Sequence, residues 1–180
     1  NIQSIENTMV LLCEETIEKA ISFIAGARMV AVYGIGASAI IAQDFKQKLT
    51  RINYWCEAAT DGDTQLTVSA NLGPQDVVFA ISYSGLTKDI CDSVSIAKEN
   101  GAKVITLTKS GDNMLSLMGD ACLYTTSLER NIRSGATSSR IAQLNVIDIL
   151  FAGITKTNKE KNIEALERTR KAVGRSKRER

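Results

Sequence analysis

Val77-Val78-Phe79-Ala80-Ile81-Ser82-Tyr83-Ser84-Gly85-Leu86-Thr87 is the stretch that decides how this chain is read. Five apolar residues in a row, three of them β-branched, are the pattern of a strand buried on both faces. The turn behind them holds one glycine and three hydroxyls, Ser82, Ser84 and Thr87, within six residues. A helix is expected next, over Asp89 to Glu99, stopping at the C-cap signature Asn100-Gly101. A strand that feeds a glycine turn opening a helix leaves backbone N–H groups, and the positive end of the helix dipole, at the C-terminal edge of a sheet. Hydroxyls and amides together make a neutral cradle for a phosphate monoester, with no metal required. The turn therefore points to a small phosphorylated ligand.

Working outward, the same arrangement occurs about 48 residues earlier. Met29 to Tyr33 reads as a strand, Gly34-Ile35-Gly36-Ala37-Ser38 as its glycine turn, and Ala37 to Leu49 as the helix. Further units follow the same order. Tyr54 to Glu57 is a short strand, Asp61-Gly62-Asp63 a turn and Thr64 to Ala70 a helix. Gly73-Pro74-Gln75-Asp76 punctuates the chain before the central strand. Lys103 to Leu107 and Ala121 to Thr125 supply two more strands, with a short helix near Asn113 to Met118 between them. Strands alternating with helices predict an α/β domain: a five-stranded parallel sheet in a three-layer α/β/α sandwich, with right-handed crossovers.

Both ends carry further patterns. Ile5, Met9, Leu12, Cys13, Ile17, Ala20, Ile21 and Ile24 recur at helical spacing and predict one amphipathic N-terminal helix. The chain begins at Asn1, already inside that pattern, which is expected of a fragment whose preceding domain has been removed. Ser138 to Thr155 is apolar around nearly its whole circumference. It is therefore expected to lie between the sheet and a second copy of the chain, in a homodimer or higher homo-oligomer. Lys159 to Val173 reads as a charged, lightly amphipathic helix. Residues 1–174 form one domain in this reading, and the basic tail Arg175-Ser176-Lys177-Arg178-Glu179-Arg180 a solvated, mobile terminus.

Composition narrows the function classes. A net charge of +2 gives no reason to invoke nucleic acid for the domain itself. No run approaches the ~20 apolar residues of a membrane span, and no signal-peptide layout is present. The four cysteines form no CxxC pair and the chain has no histidine, so no metal site is expected. Reduced thiols fit a cytoplasmic protein.

Four features together resemble the SIS (sugar isomerase) domain, specifically the effector domain of RpiR/MurR-type bacterial transcription regulators. They are Gly34-x-Gly36-x-Ser38, Ser82-x-Ser84-Gly85-x-Thr87, the lead-in Asp76-Val77-Val78, and Arg133-Ser134-Gly135-Ala136-Thr137-Ser138-Ser139-Arg140 ahead of the long apolar helix. The resemblance spans nearly the whole chain. It implies that Ser82, Ser84 and Thr87 bind the phosphate of a sugar phosphate, that Gly85 permits close backbone approach, and that Ser38 lies beside the sugar or its phosphate. It also implies a dimer, and DNA binding only through an N-terminal helix-turn-helix domain absent here.

Other residues carry competing readings. Gly36 belongs to the first turn, which also approximates a dinucleotide fingerprint with Ala39 in its third position and Glu57 near the end of the second strand. The hydroxyl-rich turn, which a dinucleotide does not need, argues against that, and no cofactor is expected. Asp61 and Asp63 either bond sugar hydroxyls or cap a turn. Arg133 or Arg140 reaches a phosphate or carboxylate, or else is surface charge. Cys56 and Cys122 read as core. Aldose–ketose isomerisation needs an acid–base pair; without histidine, only Glu57 and Glu129 remain as bases. A binding domain without catalysis is therefore the first reading, a sugar-phosphate isomerase or lyase the second, and a dinucleotide module the third.

Overall fold

The computed structural model describes residues 2–126 and 137–178. In chain order the elements are α1 (Ile2–Leu11), α2 (Glu14–Gly26), β1 (Val30–Tyr33), α3 (Ala37–Arg51), β2 (Cys56–Ala59), α4 (Gly62–Ala70), β3 (Val77–Ile81), α5 (Lys88–Glu99), β4 (Lys103–Lys109), β5 (Ala121–Thr125), α6 (Thr137–Thr157) and α7 (Lys159–Arg178). A short 3-10 turn, Ser116–Met118, takes the place of the expected helix from Asn113.

The five strands form one parallel sheet in the order β2-β1-β3-β4-β5. Every residue of β1 and β3 is buried. Successive side chains go to opposite faces, as the period-two pleat demands. Val30, Val32, Phe79 and Ile81 join a core with α2, α3 and α6, whereas Ala31, Tyr33, Val78 and Ala80 pack under α5. Phe45 of α3 meets Phe79 edge-on, with ring centroids 5.4 Å apart. At the N-terminal end of β3, Asp76 accepts from Arg28 Nη2 at 2.7 Å and from Gly73 N at 2.8 Å, tying that end of the sheet together.

Several expectations are corrected. The single N-terminal helix is two, broken at Cys13, whose backbone is extended. Thr8 and Ala20 are both buried. In one straight helix they would lie about 120° apart, at 3.6 residues per turn. The break lets each half turn its own face inward, and it leaves Ile2, Met9 and Val10 of α1 in solvent. The strand expected at Tyr54 begins two residues later, at Cys56. Lys159 to Val173 is helical but does not stop there: α7 runs on to Arg178, so the first part of the basic tail of 175–180 continues the helix.

The apolar girdle of α6 is covered in large part from within the chain. Its buried positions, Ala142, Val146, Ile147, Leu150 and Ile154 among them, pack against α1, α2, α3 and α7 of the same chain. At Gly153, a side chain would overlap Ile21 of α2, so the two helices are as close as glycine allows. The chain's own N-terminal helices cover much of this girdle, while Ile141, Leu144, Ile149 and Phe151 remain half-buried.

Candidate functional site

β1 and β3 are neighbours in the sheet, but the helices that follow them leave to opposite faces: α3 joins the core of Val32 and Phe79, and α5 that of Tyr33 and Ala80. Such a divergence opens a crevice at the C-terminal ends of the two strands. Both glycine turns lie in it. A cavity of about 120 Å³ is lined by Ile35, Ala37 and Ser38 from the first turn, by Ile81, Ser82, Tyr83, Ser84 and Thr87 from the second, and by Ser139, Arg140 and Gln143 of α6.

The second turn is organised from within. Ser82 Oγ lies 2.8 Å from Thr87 Oγ1 and 3.5 Å from Ser84 Oγ, and it accepts from Gly85 N at 3.2 Å. Ser84 Oγ accepts from Leu86 N at 3.2 Å. Gly85 has φ +67°, and a side chain there would overlap the Asn113 carboxamide. Asn113 is itself immobilised: it donates to Thr108 Oγ1 and to Gly111 O and accepts from Ser116 N. Leu115 N donates to Gly85 O at 3.0 Å and fastens the turn from the same side.

The helix termini supply the electrostatics. No side chain caps α5, because Thr87 directs its hydroxyl at Ser82 instead. None caps α3, which begins at Gly36 with φ 60°, although the amides of Ser38 and Ala39 close onto Ile35 O and Gly36 O. The first turn of α6 faces the same cavity through Ser139 and Arg140. Three helix N-termini thus converge on one small polar space, an arrangement that attracts an anion. α4 is the contrast. Its N-terminus is closed by Asp61, whose Oδ1 accepts from Thr64 N at 2.9 Å. That bond holds the Asp61 carboxyl below its ordinary range.

The expected site residues fall into three groups. Ser38, Ser82, Ser84 and Thr87 line the cavity, as does Arg140, while Gly36 and Gly85 supply the positive-φ backbone that shapes it. Asp61 serves as a helix cap and is not part of the lining. Arg133 and Glu129 lie outside the described residues. Among the described lining residues Arg140 carries the only formal charge, and no carboxylate is present. Glu57 is on edge strand β2, bonded to Lys46 at 3.1 Å. Burial pushes the Cys56 thiol up to about 12 and raises that of Cys91 as well, which leaves neither suited to nucleophilic work. No cluster of three or more metal-ligating side chains occurs among the described residues. Nor, among those residues, is any helix long and apolar enough to cross a membrane.

Sequence reasoning quoted Ser139 within the Arg133–Arg140 motif without a role in the site, and missed Gln143. The available signal was two polar residues four apart, on one face of an otherwise apolar helix. A larger hollow of about 560 Å³ is lined by Glu167, Arg170, Lys171, Gly174 and Arg175. All five belong to α7, so it lacks polar groups converging from separate elements.

The SIS domain family model matches residues 23–153. The chain belongs to the SIS domain family. A protein from Caldanaerobacter subterraneus subsp. tengcongensis, named as an uncharacterized HTH-type transcriptional regulator, is 43% identical to this SIS domain over 169 residues, which cover 94% of this chain and 60% of that one. The SIS domain therefore spans about three fifths of that relative's length. Among solved structures, the Vibrio vulnificus NanR protein complexed with ManNAc-6P superposes with TM-score 0.90 at 22% identity, over 96% of this chain and 65% of that one. The sugar isomerase domain of the RpiR transcription factor from Sphaerobacter thermophilus gives TM-score 0.85 at 23% identity, over 94% and 93% of the two chains. At these identities the likeness is one of fold.

Proposed function

We propose that this SIS domain is the effector-sensing part of a bacterial transcription regulator and that it binds a phosphorylated sugar without converting it. The observation that carries the reading is the crevice between β1 and β3, where three helix N-termini and the hydroxyls of Ser82, Ser84 and Thr87 meet. The phosphate sits on the Ser82–Thr87 turn, accepting from hydroxyls and from first-turn amides of α5, with the Arg140 guanidinium on the far wall.

Binding without turnover is supported by the lining. Moving a proton between adjacent carbons requires a base within hydrogen-bond reach, and the described lining offers hydroxyls, one guanidinium and one carboxamide. Of the two carboxylates open to the isomerase reading, Glu57 would have to leave Lys46 and cross from the edge strand, and Glu129 lies outside the described residues. The regulator reading is supported by the name of the Caldanaerobacter relative. In it, DNA is bound by a helix-turn-helix domain elsewhere in the protein, and the whole works in the cytoplasm. Self-association is part of the same proposal. Its support is the half-buried apolar side of α6, Ile141, Leu144, Ile149 and Phe151, together with the apolar residues that α1 leaves in solvent, Ile2, Met9 and Val10. Light scattering that shows only monomer at micromolar concentration removes it.

The test is a calorimetric and thermal-shift screen with N-acetylmannosamine 6-phosphate, glucosamine 6-phosphate, glucose 6-phosphate and their unphosphorylated sugars, with NMR of the recovered ligand. Phosphorylated forms alone should bind, and should return unchanged. Conversion would establish the enzyme, and equal binding of the unphosphorylated sugars would remove the phosphate cradle.

A further inference from the structure

Gln143 has a buried amide nitrogen with nothing to bond. It lies on α6, one turn beyond Ser139, and is 2% exposed. Its Nε2 is sealed from solvent and has no acceptor within hydrogen-bond distance. Four other side-chain atoms among the described residues share that condition, and each differs in a way that matters. Gln65 is anchored by its other end, which donates to Ala59 O at 3.0 Å. Asp76 is anchored through its second oxygen, on Arg28 and Gly73. Ser4 and Thr106 present small hydroxyls away from the cavity. Gln143 alone among the five lines the cavity between the two glycine turns.

An unmade donor in the protein interior is a standing cost, and an apolar side chain of the same shape would avoid it. A glutamine whose purpose was to hold α6 in place would have a partner in the fold. Asn162 of α7 shows what such an anchor looks like: it is equally buried, and its Nδ2 donates to Ile154 O and Thr155 O of α6. The helix position adds a second constraint. Gln143 follows Arg140 by three residues and Ser139 by four, so each is its neighbour on the surface of α6 and the three line one wall of the cavity. Ser139 and Arg140 are at the helix start, in the anion-attracting first turn, and Gln143 lies one turn further in.

We propose that Gln143 reads the carbon chain of the ligand: its carboxamide bonds a hydroxyl or carbonyl oxygen of the sugar while the phosphate occupies the Ser82–Thr87 turn. This rests on the sugar-phosphate reading above. The chemistry distinguishes the two ends of the ligand. A phosphate only accepts, and hydroxyls and helix amides already serve it. A sugar hydroxyl both donates and accepts, which matches the two ends of a carboxamide. Gln143 is thereby a specificity-determining residue, separating one phosphorylated sugar from another that presents its oxygens differently.

The experiment uses Gln143→Met, which keeps the length and removes both polar ends. Two measurements are made on it and on the parent chain: unliganded melting temperature, and calorimetric affinity for inorganic phosphate and for the three sugar phosphates named above. The expected result has three parts. Unliganded Gln143→Met melts at or above the parent, affinity for inorganic phosphate is unchanged within error, and affinity for the tightest sugar phosphate falls by about tenfold or more. A lower melting temperature overturns the proposal, because the amide then has a partner in the fold. An equal loss for inorganic phosphate overturns it too, since Gln143 then reads the phosphate. Full retention of sugar-phosphate affinity in the variant overturns the role of Gln143 and leaves the sensor reading standing. A parent chain that binds none of these sugar phosphates overturns both.

Discussion

The two glycine turns look alike in sequence and are built under different constraints. Each joins a buried strand to a helix and each contains a glycine at positive φ, Gly36 at 60° and Gly85 at 67°. Around Gly36 there is open space, so only backbone conformation demands glycine there. Gly85 is pressed against Asn113, whose three hydrogen bonds fasten it to Thr108, Gly111 and Ser116. The first turn is shaped by its own backbone, and the second is clamped from outside by the loop after β4. On the proposed function, a turn that holds three hydroxyls in register for one anion gains from such a clamp, because the ligand then spends little of its binding energy on ordering the site.

The sharpest way to break this contrast is a pair of substitutions. Gly85→Ala meets both the positive φ and the Asn113 side chain and should cost about 3 kcal/mol or more, lowering the melting temperature by roughly 6–12 °C and abolishing sugar-phosphate binding. Gly36→Ala meets the backbone penalty alone, about 1–2 kcal/mol. Thermal denaturation of the two side by side decides the matter, and equal losses would mean that the clamp contributes nothing.

Asn113→Ala tests the clamp itself. Losing the carboxamide leaves Ser116 N without a partner and takes one of two bonds from Thr108 Oγ1, which still donates to Lys109 O, at about 1–3 kcal/mol. It also clears the space that Gly85→Ala needs. The double variant should therefore lose less than the two single losses added together, by about 1 kcal/mol or more. Strict additivity in urea unfolding would show that Asn113 does not restrain Gly85.

Ser84→Ala separates ligand from fold. Ser84 Oγ accepts from the exposed amide of Leu86 at 3.2 Å and otherwise makes a long 3.5 Å contact with Ser82 Oγ, in which either hydroxyl can donate. The unliganded melting temperature should barely move, while sugar-phosphate affinity falls by about tenfold or more, as for a lost bond to a charged group. Ser82→Ala should differ in kind, because Ser82 Oγ also holds Thr87 and Gly85: it should lower melting temperature and affinity together. Matching profiles for the two variants would contradict the division of labour within the turn.

The smallest effect concerns Asp61 and depends on pH. Its carboxyl is held below the ordinary range, first by the Thr64 backbone N–H. A depressed folded value means that the stabilisation is complete above the unfolded carboxylate range and fades as pH falls through the folded one. Asp61→Ala should melt slightly below the parent at neutral pH, with the difference closing in acid, and sugar-phosphate affinity should not change. A loss of affinity would return Asp61 to the ligand edge. A difference that persists below the carboxylate range would mean that the cap does not act through charge.

Much of this was legible in the residues alone, because its physical causes are local. Val77–Ile81 reads as a doubly buried strand since five apolar residues permit little else, and the structure has the same bounds. The glycine turns are legible because positive φ and close approach select glycine within a few residues. Both the strand count and the parallel sense follow from the alternation of short strands with helices. What depends on distant partners was not legible. The break at Cys13 is set by which faces of α1 and α2 the rest of the chain buries, a phase that no window of sequence contains. The packing of α6 on the chain's own N-terminal helices is a contact across more than a hundred residues. Gln143 reads as one polar residue in an apolar helix until the fold brings α6 over the crevice between β1 and β3. The residues determined the parts and the turn that suits a phosphate; tertiary packing decided which helix closes over it, because that choice is made by the burial of the whole apolar surface at once.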